Sequence, residues 1–121
     1  MKKTEIIFKR DQLTVIEKTG VSIFRYTDIV GIFCEHPYLM IVTCNKNKKL
    51  IFHSLKEITQ SLPFSFVTCS RSTIINLSHV IQVKSGNSNC FIEMDNGQKI
   101  PVSRRKKSII VEKIKNISTV Q

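Results

Sequence analysis

Short apolar runs rich in β-branched and aromatic residues recur along the chain: Ile6 to Phe8, Leu13 to Ile16, Val21 to Phe24, Leu39 to Val42, Leu50 to Phe52, Phe64 to Val67, Val80 to Val83 and Cys90 to Met94. Polar turn signals divide them, at Lys18-Thr19-Gly20, Asn45-Lys46-Asn47, Gly86-Asn87-Ser88-Asn89 and Asp95-Asn96-Gly97. Many short strands separated by polar turns predict a mainly β fold, a sandwich or barrel-like protein. Asn96-Gly97 is the sharpest of these signals. Both residues tolerate positive φ, so this pair predicts a tight hairpin joining 90–94 to 98–102.

Two segments leave the β pattern. In Ser54-Leu55-Lys56-Glu57 the serine can accept from the backbone at Glu57 while Glu57 reaches back, a capping box that predicts a short helix over 55–62, ended by Pro63. From Ser103 onward Ile109, Ile110, Val111, Ile114 and Ile117 fall near helical spacing, which predicts an amphipathic C-terminal helix over 104–116. Its first turn would carry Arg104, Arg105, Lys106 and Lys107. Cations there oppose the helix dipole, so the cluster points to a partner rather than to helix stability.

At 121 residues, 41% hydrophobic and 23% charged, the chain has the size and balance of one packed domain spanning 1–121, with no repeat or linker. The apolar run from Ile6 to Phe8 ahead of Lys9-Arg10 is too short for a signal peptide or a membrane span, so a cytoplasmic protein is expected. Four scattered cysteines, Cys34, Cys44, Cys69 and Cys90, form no C-x-x-C pair and read as buried free thiols rather than zinc ligands. His36, His53 and His79 lack metal-ligand spacing, the nine acids are scattered, and no nucleophile or phosphate-loop motif occurs. No catalytic residue, metal or cofactor is expected, and an enzyme is disfavoured.

Charge changes the picture most. The formal net charge is +10, and Lys99, Arg104, Arg105, Lys106, Lys107, Lys113 and Lys115 face only Glu112 in their stretch, so six of the ten charges lie there. A surface so biased attracts a polyanion, through release of the counterions condensed on it. A second cluster, Lys46, Lys48 and Lys49, sits in a turn and is either a phosphate contact or a solubilising loop. Arg71 stands among Thr68-Cys69-Ser70 and Ser72-Thr73. Hydroxyls can hold phosphates while one Arg reads a guanine edge, or the Arg can pair with an acid across a sheet. Cys69 beside Arg71 could form a stabilised thiolate, Asn76 suits a turn or cap, and Phe33, Phe52, Phe64, Phe66 and Phe91 suit a core.

The stretch Phe66-Val67-Thr68-Cys69-Ser70-Arg71-Ser72-Thr73-Ile74-Ile75-Asn76-Leu77-Ser78-His79-Val80, followed by Asp95-Asn96-Gly97-Gln98-Lys99-Ile100-Pro101-Val102-Ser103-Arg104-Arg105, resembles the LytTR family of bacterial DNA-binding domains. Asp28 to Tyr38 and Ser54 to Glu57 match its order and spacing too, so the resemblance spans nearly the whole chain. It implies an elongated β fold that inserts loops into successive major grooves of promoter DNA, often at paired direct repeats, with self-association on DNA a possible accompaniment. Carried over by motif position, Arg71, Arg104, His36 and Tyr38 become base-contact candidates. Ser70, Ser72, Thr73, Ser103, Arg105, Lys106 and Lys107 join Lys46, Lys48 and Lys49 as phosphate-contact candidates.

Ser70 stands where the family often has His, and Lys106 where it often has an aromatic residue, so the base preference need not follow that of other members. The resemblance also implies either a stand-alone regulator or the output domain of a response regulator. Two competing functions remain at this point: a basic β protein binding RNA or single strands, and a basic module docking on an acidic partner or an anionic membrane. The first wants aromatic residues interleaved with the charges, and Arg104 to Lys107 contains none.

Overall fold

In the computed structural model, residues 2–86 and 89–120 are described, and among them eleven strands and two α-helices form a mostly β protein. The first three strands, β1 (Glu5–Phe8), β2 (Gln12–Glu17) and β3 (Gly20–Arg25), make an antiparallel meander. A five-stranded sheet follows, built from β4 (Ile29–Glu35), β5 (Tyr38–Thr43), β6 (Lys48–Ile51), β7 (Phe66–Ser70) and β8 (Thr73–Asn76) in the order β6-β5-β4-β8-β7. Helix α1 (Leu55–Ser61) joins β6 to β7. A third sheet, β9 (Val80–Ser85), β10 (Cys90–Met94) and β11 (Lys99–Val102), leads into α2 (Arg104–Val120).

The central sheet is buried on both faces. Ile32, Ile41 and Ile74 share a cross-strand row and pack with Leu13 and Val15 of β2 and Ile58 of α1. On the opposite face Val67 and Ile75 pack with Ile92 and Met94 of β10, Ile100 of β11 and Ile110 of α2. Each fully buried isoleucine contributes roughly 1.5–3 kcal/mol, so the central sheet holds the two flanking layers in place. Gly31 permits the close approach of β4 and β8, since a Cβ there would lie 2.8 Å from the Ile74 carbonyl oxygen.

Two polar side chains fasten the layers. Asn76 is buried, its Nδ2 donating to the carbonyls of Tyr26 and Ile29 at 2.9 Å each, while its Oδ1 accepts from the Ser78 N–H at 3.1 Å. It is a cap with a tertiary role. The Nε2 of His79 meets the Thr27 carbonyl at 2.6 Å and its Nδ1 lies 2.7 Å from Asp95 Oδ2, so one ring bridges the β3–β4 connection and the β10–β11 turn.

The predicted hairpin forms across Asn96-Gly97, with Gly97 at φ 88° and the Met94 N–H donating to Gln98 O at 2.8 Å. Asn87 and Ser88 of another predicted turn lie outside the described residues. Only half of the expected capping box exists. Ser54 Oγ accepts from the Glu57 N–H at 3.4 Å, but the Glu57 carboxylate turns to Lys3 instead of back to Ser54, whose N–H donates to His53 Nδ1. Helix α2 runs past 116 to Val120 because Ile114 and Ile117 extend its packing stripe.

The aromatic expectation needs one correction: Phe66 is core, while Phe64 is 64% exposed and carries Lys113 Nζ 5.7 Å above its ring. Cysteines divide as well. Cys69 and Cys90 are buried free thiols, but Cys34 and Cys44 are exposed.

Candidate nucleic-acid interface

Three turns converge at one end of the central sheet. The β4–β5 turn presents His36-Pro37, the β7–β8 turn presents Arg71-Ser72, and the Cys34 N–H donates to Ser72 O at 2.8 Å, which locks the two side by side. Antiparallel pairing dictates this arrangement: β4 leaves Phe33 opposite Thr73, so the end of one strand meets the start of the other. Ser72 N–H and Ser72 Oγ both lie 3.2 Å from Ser70 Oγ, a serine turn that sets Arg71 at its apex, exposed. The hydroxyl protons stay rotatable, suited to donating toward a phosphate oxygen.

The third contributor is the start of α2. Ser103 Oγ accepts from the Lys106 N–H at 3.1 Å and so caps the helix, fixing where Arg104 and Lys106 project. The positive end of the helix dipole adds to that side-chain charge, and the arrangement favours an anion in front of it.

Between these elements lies an open groove of about 1410 Å³, walled by α1, the end of β7, β10, β11 and the first turn of α2. Arg71 and Arg104 both line it, with Lys56, Lys99, Lys106, Ser70 and Ser103. A second depression of about 540 Å³ continues past Arg71 and Lys56 to His36, Tyr38 and Lys3. Arg71, Lys56 and Leu55 belong to both, and among the described residues no aspartate or glutamate lines either one. Six Lys and Arg side chains without a carboxylate among them make this a focused positive field.

The floor is apolar. Cys69 and Cys90 lie in it, and burial pushes the Cys69 thiol up to about 12 against the opposing pull of Lys106. That overturns the thiolate reading: at neutral pH Cys69 is a protonated, buried thiol, a poor oxidant sensor. Tyr38 is half-buried, edge-on against Phe52 at 6.1 Å between ring centroids. His36 is exposed at the rim.

The structure brings together Arg71, Arg104, Lys106, Ser70 and Ser103, and places His36 and Tyr38 alongside. Ser72 and Thr73 support the Arg71 turn. Lys107 donates to Ser85 Oγ on β9 and lies off the groove, as does the exposed Arg105. The turn carrying Lys46, with Lys48 and Lys49 opening β6, is at the other end of β5 from His36, and Lys49 is paired with Glu17. Lys3, Lys56 and Lys99 were not singled out as contacts from sequence, yet all three line the grooves. Lys56 adjoins the Ser54 cap and Lys99 adjoins the hairpin, positions that become meaningful only once the strands are paired. Among the described residues no cluster of His, Cys, Asp and Glu could hold a metal, and no helix is long and apolar enough to cross a membrane.

Comparison with known proteins is consistent with this geometry. No curated protein matches the sequence. Among solved structures the chain is similar to the LytTr DNA-binding domain of a protein described as a methyl-accepting/DNA response regulator from Bacillus cereus. The two share 22% identity and superpose with a TM-score of 0.73, covering 88% of this chain and 98% of that one. At that identity the likeness speaks for the fold. The LytTr DNA-binding domain family matches residues 20–115, most of the chain and all three converging turns. The chain therefore belongs to the LytTR family of DNA-binding domains.

Proposed function

We propose that this protein is a sequence-specific regulator of transcription that inserts the β7–β8 turn and the start of α2 into successive major grooves of promoter DNA. Arg71 and Arg104 are the base readers, His36 and Tyr38 flank them, Ser70, Ser72, Thr73, Ser103 and Lys106 hold phosphates at the groove, and Arg105, which lies off it, holds one further along the backbone. The observation that carries the reading is the carboxylate-free groove that joins Arg71 to Arg104. An Arg fork matches guanine O6 and N7, and adjacent hydroxyls fix the backbone register that such readout requires. Lys107 and the turn bearing Lys46, Lys48 and Lys49 are peripheral phosphate contacts in this reading, reached only by DNA running on beyond the groove. Paired direct repeats, with self-association on the DNA, would let two copies read one promoter. The place of action is the cytoplasm, and no catalytic step is assigned.

Selection of binding sites from a random duplex library, with single-stranded competitor present, tests the proposal. Enrichment of a short guanine-containing motif, arranged as repeats, is the expected outcome. Equal or tighter binding to single strands of the same sequence would overturn it in favour of a single-strand or RNA-binding role.

A further inference from the structure

Lys3 lies ahead of the residues that match the family, 20–115, yet it lines the depression that holds His36, Tyr38 and Arg71. Its position is fixed by the next residue. Thr4 N–H donates to the Phe52 carbonyl at 2.7 Å, and Phe52 N–H donates back to Thr4 Oγ1 at 2.9 Å, which pins the start of the chain against the end of β6. From there Lys3 Nζ donates to Glu57 on α1. Glu57 Oε2 also stands 3.9 Å from His53 Nδ1, and the hydrogen bond from Lys3 is the main reason its carboxyl is held below the usual carboxylate range. Both partners are exposed, at 54% and 49% of their side chains, so incoming phosphate competes for the ammonium without unfolding anything.

Resting on the duplex-binding reading above, we infer that Lys3 is an additional phosphate contact, outside the part of the chain that matches the family, and that Glu57 holds it in reserve until DNA arrives. The neighbouring depression is lined by cations with no carboxylate, and Glu57 just outside it engages the cation nearest the chain start. A DNA phosphate brought to the His36–Arg71 rim enters that same space. The ammonium then exchanges one anionic acceptor for another, and the Lys3–Glu57 pairing given up in that exchange is the cost Glu57 places on the complex. Lys3 therefore adds affinity and salt dependence, and Glu57 subtracts affinity through Lys3.

The test uses the full chain and the duplex enriched from the random library, titrated by fluorescence anisotropy over a range of salt. Lys3→Ala should make the slope of log K against log salt shallower by about 0.9, one phosphate contact. Glu57→Gln should tighten binding about threefold or more at low salt, an effect of charge on association that salt suppresses. The double variant decides between a latch and a general charge effect: in the Lys3→Ala background most of the Glu57→Gln gain should vanish. An unchanged slope in Lys3→Ala, or an equal Glu57→Gln gain in both backgrounds, overturns the inference and leaves the DNA-binding reading intact. Failure of the unaltered protein to bind any duplex overturns both. Thermal melts of the variants, expected within a degree or two of the unaltered protein for so exposed a pair, confirm that the folds are comparable.

Discussion

Arg71 and Arg104 line one groove although different layers carry them: Arg71 tips the β7–β8 turn of the five-stranded sheet, and Arg104 opens α2, one residue after β11 of the third sheet. Their relative position depends on the packing of Val67 and Ile75 against Ile92, Ile100 and Ile110. Two probes carried on separately braced layers can address separate base pairs.

Replacing either arginine should therefore relax base preference at different positions of the site. Arg71→Ala and Arg104→Ala are each expected to lose about 1–3 kcal/mol of discrimination at one or two base pairs. Competition against a panel of single-base operator variants reads this directly. Both side chains are exposed, so thermal melts should hardly move. Loss at the same base pair in both variants would contradict the assignment of one reader to each layer.

Lysines in the first turn of α2 should divide by direction. Lys106 lines the groove, whereas Lys107 is drawn to Ser85 on β9. Lys106→Ala should weaken all duplexes alike and reduce the salt slope by about 0.9. Lys107→Ala, and Lys48→Ala at the far end of β5, should change it by less than half as much. Salt titrations of the three variants on one duplex provide the comparison.

Asn76 should prove the most sensitive polar residue of the fold. Asn76→Ala removes donors to the Tyr26 and Ile29 carbonyls inside the protein and is expected to cost about 2–3 kcal/mol in urea denaturation. Asn76→Asp retains the acceptor toward Ser78 but turns an oxygen against both carbonyls, so it should recover none of that loss.

Thr14 offers the opposite case. Its Oγ1 is buried with no hydrogen-bond partner among the described residues, in the middle of β2. Thr14→Val keeps the shape and removes an unsatisfied hydroxyl, and should raise stability by about 1 kcal/mol in the same denaturation assay.

Cys69 should resist alkylation in the folded protein while Cys34 and Cys44 react, a contrast visible by mass spectrometry after iodoacetamide treatment. The folded thiol titrates at about 12, above its ordinary 9.0. Because the unfolded chain ionises first, the contribution of this group is intact below pH 9 and is lost as pH rises toward 12. Cys69→Ala should accordingly lack that part of the alkaline loss of stability.

Local chemistry made much of this protein legible in one dimension. The Asn96-Gly97 hairpin, the Ser54 cap and the basic first turn of α2 depend on residues a few positions apart, where backbone preference and short hydrogen bonds decide the outcome. The family motif, too, is carried by contiguous residues around Arg71 and Arg104.

Strands β4 and β8 were harder to read, and they are the centre of the molecule. Ile29-Val30-Gly31-Ile32-Phe33 and Thr73-Ile74-Ile75 pack on both faces of the central sheet, so the alternation of apolar and polar residues that marks a half-exposed strand is absent. Phe64 was misread for the converse reason. An apolar residue beside a core strand carries no label of its own exposure, and only the turn after Pro63 put it outside.

The groove itself belongs wholly to tertiary structure. Lys3, Lys56, Arg71, Lys99 and Arg104 are scattered over about a hundred positions, and nothing in their local sequence brings them together. Antiparallel pairing of β4 with β8 aligned two turns, and apolar packing between sheets carried α2 beside them. Composition determined that the protein would attract a polyanion, because net charge is a sum over residues. Where that charge is focused depends on which turns the folded strands set side by side, and that is a property of the packed sheets alone.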